Sequence, residues 1–256
     1  MANLNSYITL ENDIAVINAE EMTYRELNRF LRELARAGIR KVKVENVYGQ
    51  RYIGAGLSNV EIEVYGTPGN DLGAFMDGPS IIVYGNAQDG CGNTMNSGKI
   101  VIHGKTGDVT GYSMRGGKIF IRDDAGYRVG IHMKEFDSIK PQIVIGGCAG
   151  DFLGEYMAGG VILVLGLNLR QGRSHSTRFI GAGMHGGVIY IRGEVGYVRK
   201  ETKLDKTSGE DLKVIHGLVK EFCTYFKCDL EEIMNASFTR ITPVSNRPYK
   251  NIYAYL

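Results

Sequence analysis

The side chains of this sequence best suited to nucleophilic, acid–base or metal chemistry are five histidines and four cysteines. Such groups act in concert only when a second ligand or base stands at a spacing that brings both to one point, as in HxH or HExxH. His103, His132, His175, His185 and His216 form no such set. Cys91, Cys148, Cys223 and Cys228 show neither CxxC nor CxxCH spacing, and a neighbouring pair such as Cys223 and Cys228 does not complete a zinc or iron–sulfur site. Gly181, Gly183 and Gly186 match G-x-G-x-x-G. A dinucleotide site needs those glycines after a strand and at the start of a helix, whose N-terminus receives the pyrophosphate. Here they precede the apolar run 188–192 instead. Neither a G-x-x-x-x-G-K-[ST] loop nor a G-x-S-x-G elbow occurs. The expectation is a chain with no catalytic, cofactor-binding or metal-ligating residue, its cysteines reduced thiols of a cytoplasmic protein.

The glycines have another use, because the sequence is periodic. Met76, Met95, Met114 and Met133 are each 19 residues apart, and Met157 follows after 24. Each lies three residues after a glycine (Gly73, Gly92, Gly111, Gly130 and Gly154), a sixth unit at Gly183 lacks the methionine, and a degenerate unit begins at Gly54. Each unit also carries one apolar run, at 60–65, 80–84, 99–103, 118–122, 142–145, 161–165 and 188–192. A period near 20 with one strand per unit marks a solenoid. Nineteen residues per coil suit a three-sided, right-handed parallel β-helix of about seven rungs, with one strand side chain in two turned inward. The methionines are expected to stack inside the coil. Asp89, Asp108 and Asp151 each precede an anchor glycine by three, where a carboxylate can bond backbone N–H groups and hold the turn. Two units are longer than the period. The first holds five extra residues, including Pro141, and the second ten, in GLNLRQGRSHSTRF. Insertions in solenoids become loops on one face. The second insertion carries Arg170, Arg173, His175 and Arg178, and it is the candidate partner-contact loop, with a solvated loop as the alternative.

Around residues 53–198 stand two flanks. Residues 1–52 read as a small α/β lead-in and cap: Thr23 and Glu26 have capping-box spacing, Leu27, Leu31 and Leu34 share a helical face, Gly38 is a C-cap, and 39–47 alternate as a strand. Residues 199–256 begin with a second capped helix, Ser208 and Asp211 followed by Leu212, Ile215, Val219, Phe222 and Phe226 at 3-4-3-4 spacing. That helix seals the far end of the rod or lies along its side, and an extended, Tyr-rich tail follows. The fold class is therefore mainly β, a parallel β-helix with a small α/β N-terminal cap and an α-helical C-terminal extension. The near-balanced charge of +2 gives no basic patch for nucleic acid. No apolar run is long enough to span a bilayer, and the N-terminus lacks a secretory pattern.

The units GNDLGAFMDG, GNAQDGCGNTMNSGKIVIHG, GDVTGYSMRGGKIFIR, GYRVGIHMK and GDFLGEYMAGGVILVLG resemble the C-terminal β-helical GXGXG domain of the large subunit of glutamate synthase. The resemblance covers roughly residues 40–195 and points to a split form in which each domain of the large enzyme is a separate polypeptide. It implies a structural role beside a glutaminase subunit and an FMN/iron–sulfur synthase subunit, with the cofactors on those partners and no catalytic residue to carry over. In keeping with that, the sequence opens Met1-Ala2-Asn3 without the nucleophilic cysteine of a glutaminase. A literal G-x-G-x-G run is absent, the nearest pieces being Gly54/Gly56, Gly90/Gly92 and Gly181/Gly183. The same repeat occurs in a subunit of formylmethanofuran dehydrogenase, the alternative family. A free-standing structural homo-oligomer and a β-helical acyltransferase are the remaining readings, the latter disfavoured because those helices use hexapeptide repeats.

Overall fold

The computed structural model describes residues 8–11, 14–170, 172–196 and 198–246. β1 (Ile8–Glu11) and β2 (Ile14–Asn18) lead through α1 (Tyr24–Arg36) to β3 (Lys41–Tyr48). One strand per repeat follows: β4 (Glu61–Thr67), β5 (Asp77–Tyr84), β6 (Ser97–Ile102), β7 (Lys118–Ile121), β8 (Gln142–Ile145), β9 (Ala158–Val164) and β10 (Gly186–Arg192). The chain continues through β11 (Thr202–Lys206), α2 (Gly209–Phe226), α3 (Leu230–Met234) and β12 (Phe238–Pro243).

The protein is mainly β. Its twelve strands form one open sheet in the order β1 to β10, then β12, then β11. From β2 to β10 every neighbouring pair is parallel. The repeat sets the register: Ile62, Ile81, Ile100, Ile119, Ile143, Ile162 and Ile189 are direct partners in succession. All seven are buried on the inner face, and a one-residue slip would turn the whole set to the other side. Strand alternation alone implies one buried face. The middle strands instead bury both, since Val101, Phe120, Val144 and Leu163 on the opposite face form a second core with Ile215, Val219 and Phe222 of α2. The helix thus lies along the side of the sheet.

Each repeat carries one strand, as its single apolar run implied, and elsewhere in the repeat there are isolated bridges such as Thr106 with Ala125 and Ala125 with Ala149. The rest is a bend in which three residues two apart adopt left-handed backbone around the anchor glycine, as in Gly90, Gly92 and Thr94, or Val109, Gly111 and Ser113. These bends stack by hydrogen bonds between coils. The N–H of each anchor donates to the coil before it: Gly92 to Leu72, Gly111 to Cys91, Gly130 to Thr110 and Gly154 to Val129, at 2.7–2.8 Å. In the last unit the donor is Gly181, to Leu153 at 2.8 Å. The anchor there is Gly181 and not Gly183, which sits two residues on, where other units have Thr94 or Tyr156. Corrected in this way, the unit does have its methionine. Met184 is 0% exposed, as are Met76, Met95, Met114, Met133 and Met157. The methyl of Met95 lies where a Cβ at Gly117 would stand, and that of Met157 where one at Gly187 would stand. The methyls of Met76 and Met133 likewise lie against Gly98 and Gly160 of the next repeat.

Different elements cover the two ends. α1 is the crossover between β2 and β3 and adds Leu27, Phe30 and Leu31 to the inner core. Its Thr23–Glu26 capping box is formed on both sides. At the other end the parallel stacking stops, because β12 runs antiparallel to both β10 and β11. Part of the expected extended tail is this strand, and residues 247–256 lie outside the described residues. Among the described residues no helix is long and apolar enough to cross a membrane.

Candidate partner interface

The left-handed bends place large side chains on one edge of the molecule. Such backbone costs a residue with a Cβ roughly 1–2 kcal/mol, yet Phe75, His132 and Tyr156 adopt it two residues after their anchors, and Tyr52, Arg128, Phe152 and Phe179 two before. The hydrogen bonds between coils hold them there: Phe75 donates to Asn93, His132 to Glu155 and Tyr156 to Ala182, at 2.8–3.0 Å. Side chains at equivalent positions lie one coil apart, close enough for rings to stack. His132 stacks on Tyr156 with centroids 5.3 Å apart, and Tyr112 meets His132 edge-on at 6.1 Å. Phe152 stacks on Phe179 at 4.8 Å. Guanidinium groups cover the last two, Arg128 over Phe152 at 5.4 Å and Arg199 over Phe179 at 5.9 Å. Tyr52, Phe75, Tyr112, Tyr127, Tyr156 and Phe179 nevertheless leave 39% to 58% of their surfaces exposed. A line of exposed aromatics with stacked arginines has the composition of a protein-binding surface.

Carboxylates tie the same edge together. Asp89 accepts the N–H of Asp108, Asp108 that of Tyr127 and Asp151 that of Arg178, each at 2.8 Å. Each aspartate therefore bonds the next coil and does not merely close its own turn. The chain must pass close by, and glycine permits it: a Cβ at Gly107 or Gly126 would collide with the carboxylate of Asp89 or Asp108.

The basic insertion divides into a fixed part and a free part. Arg178 donates from Nε and Nη2 to Asp151 at 3.0 and 2.7 Å, and those hydrogen bonds hold the Asp151 carboxyl below its ordinary range. Thr177 donates its hydroxyl to the Ala149 carbonyl at 2.6 Å. His175 bonds the Arg192 carbonyl through Nε2 at 3.1 Å; burial keeps its pKa below the usual histidine value, and its Nδ1 is buried without a partner. Arg170 and Arg173 are exposed. Of the four residues expected at a partner contact, two belong to the frame and two face solvent.

The groups considered for chemistry lie apart. Among the described residues no three of His, Cys, Asp and Glu are gathered as metal ligands would be. Burial pushes the Cys91 thiol up to about 12 and that of Cys223 up to about 11, far from a nucleophile's range. Gly181 and Gly183 are left-handed bend positions leading into β10, and no helix begins there to receive a pyrophosphate. His103 ends a stack of rings with Tyr84 and Tyr65 and touches Phe226 of α2 edge-on at 5.1 Å. The sequence reading missed the aromatic edge. Its signal was the presence of large residues two positions from several anchors, Tyr52, Arg128, Phe152 and Phe179 before and Phe75, His132 and Tyr156 after.

Comparison with known proteins agrees with this geometry. The chain is 47% identical over 249 residues to an uncharacterised protein of Methanocaldococcus jannaschii, covering 93% of this chain and 95% of that one. The fold is similar to a chain of the formyltransferase/hydrolase complex of Methylorubrum extorquens, determined in complex with methylofuran, with a TM-score of 0.58 and 19% identity over 78% of this chain and 72% of that one. The family profile described as the GXGXG motif matches residues 20–244. Its three-glycine spacing corresponds to the three left-handed positions of each bend, of which two are glycine at Gly54/Gly56, Gly90/Gly92 and Gly181/Gly183. This chain belongs to the GXGXG motif family.

Proposed function

We propose that the chain is a non-catalytic assembly subunit of a split glutamate synthase. In this reading it holds a glutaminase subunit and an FMN/iron–sulfur synthase subunit in fixed relation, so that ammonia released from glutamine reaches 2-oxoglutarate. FMN and the cluster belong to the partners. The frame would be a right-handed parallel β-helix over 53–198, with 1–52 as its end cover and 199–256 as its side and far-end cover. In-register parallel strands and bends bonded coil to coil support that shape. The observation that carries the functional reading is the exposed aromatic edge on a stack whose repeats are hydrogen-bonded one to the next. Rigidity suits the role, since small misplacement of reacting partners costs rate steeply.

Reconstitution from separate subunits tests it. Leaving this chain out should abolish glutamine-dependent glutamate formation while ammonia-dependent formation by the synthase persists. Equal glutamine-dependent rates with and without it would sink the reading. The fold likeness to a chain of the formyltransferase/hydrolase complex favours, as a second reading, the equivalent subunit of a formylmethanofuran dehydrogenase-like complex. Native purification separates the two, a molybdopterin-containing partner pointing to the second.

A further inference from the structure

α1 presents a face that the rest of the molecule does not use. Its apolar side, Leu27, Phe30 and Leu31, is buried in the core. On the opposite side Arg25, Arg29, Arg32 and Arg36 recur at 4-3-4 spacing, all exposed, which aligns them along roughly 16 Å of one helix. The helix's own acids offset them weakly. Glu26 is engaged by Thr23 in the capping box, at 2.7 and 2.9 Å. Glu33 reaches Arg29 only at 3.9 Å. Neither Arg32 nor Arg36 has a hydrogen-bond or ion-pair partner among the described residues. The basic side chains on the sheet under α2 show the contrast, because Lys99 and Lys118 both end on Glu221 at 2.6 Å.

Beside the stripe lies a recess of about 310 Å³ lined by Tyr24, Arg25, Asn28, Arg32, Tyr52 and Ala55. Its walls are braced. Asn28 donates to the carbonyls of Tyr24 and Arg51 at 2.7 and 2.8 Å, and Arg51 lies over both tyrosine rings. Tyr52 is also a left-handed residue of the aromatic edge, so recess and edge are continuous.

We infer that this face of α1 docks an acidic segment of a partner protein, its carboxylates meeting first the unpaired guanidinium groups of Arg32 and Arg36 and one apolar side chain entering the recess between Tyr24 and Tyr52. Arg25 is held by the Tyr24 hydroxyl at 3.2 Å. Guanidinium forks match carboxylates in pairs, and all four cations are arginine. A second copy of the chain offers the same charge and is repelled. A nucleic acid needs a broader positive field than a chain of net charge +2 supplies. The inference rests on the assembly reading in needing a protein partner, and not on which partner that is.

The test uses the tagged full-length chain purified gently from its native cells, as wild type and as Arg29→Glu/Arg32→Glu. Both positions are exposed, and equal thermal midpoints confirm that both chains fold. Wild type should retain its partner subunits, and the double variant should lose at least one of them tenfold or more. In the same complex an Arg32→Lys chain, treated with a carbodiimide, should gain a zero-length cross-link from the new amine to an Asp or Glu of that subunit. Equal recovery of every subunit by both chains overturns the inference and leaves the assembly reading standing. No subunit recovered even by wild type removes the assembly reading and this inference with it. Binding of a 20-bp duplex DNA or of phosphatidylserine vesicles by wild type but not by the double variant assigns the face to another class of partner and also overturns it.

Discussion

Met95 and Gly107 show how much one side chain or one hydrogen carries in a stacked coil. Met95 is fully buried, its methyl against Gly117 of the next coil. Met95→Ala should cost about 2–5 kcal/mol, and Met95→Leu less than about 1.5 kcal/mol, because the volume is nearly kept. Chemical denaturation of both variants checks the pair, and equal losses would mean that the column is not packed as described. Gly107 has an ordinary backbone, yet a Cβ there would stand on the Asp89 carboxylate and break its bond to Asp108. Gly107→Ala should lower the thermal midpoint by several degrees. Gly217 is the control: it is exposed in α2 with open space around it. Gly217→Ala should raise stability by about 0.5–1 kcal/mol through helix propensity and chain entropy. At this scale the period revealed which residues are equivalent, since equal spacing becomes stacking. It did not reveal that the aspartates bond across coils, or that Gly181 rather than Gly183 is the last anchor, because both depend on hydrogen-bond direction.

Among the elements, α2 is the most informative. Its capping box at Ser208 and Asp211 is formed on both sides, and its apolar stripe is the buried side, with Ile215, Val219 and Phe222 inside although Leu212 is exposed. Where the helix lies was not legible. A stripe names the face to be covered and not the surface that covers it, and Phe120 in KIFIR reads equally well as an outward residue of a half-exposed strand. Polar contacts fix the position: Tyr190 donates to Asp211 at 2.5 Å, and Lys99 and Lys118 both reach Glu221. Burial raises the Glu221 pKa, but its hydrogen bonds to the two ammonium groups outweigh that and leave it below the usual carboxylate value of 4.5. A carboxyl depressed on folding stabilises above its unfolded pKa, and the contribution fades as pH falls through the folded value. Glu221→Gln should therefore cost on the order of 1 kcal/mol at pH 7, a figure reduced for partial solvent screening. Thermal midpoints of the two chains should converge as pH falls from 5 toward 3. A gap that stays constant across that range would show that the charge is not what holds the helix.

For the whole molecule the deciding feature is how the stack ends. A parallel sheet in register has no internal reason to stop, and an uncovered last strand offers its N–H and C=O groups to another chain. Here α1 covers one end of the core, and at the other β12 pairs antiparallel with β10, from Ile189 with Ile241 to Arg192 with Phe238. The repeat count predicted the number of parallel strands in 53–198 but not this reversal, because FTRITP alternates like any half-buried strand and its direction is set only by where α2 and α3 return the chain. The terminal strands of the open sheet are β1 and β11, each paired antiparallel on its inner side, and the lateral surfaces offered to partners include the aromatic edge and the outer face of α1. Ending the chain after Ala236 removes β12, uncovers the edge of β10 and leaves β11 without its partner. The shortened chain should keep its parallel sheet in circular dichroism but associate end to end, giving concentration-dependent growth in light scattering that the full chain does not show. Should the two chains have the same mass at every concentration, β12 would not be the element that stops the stack.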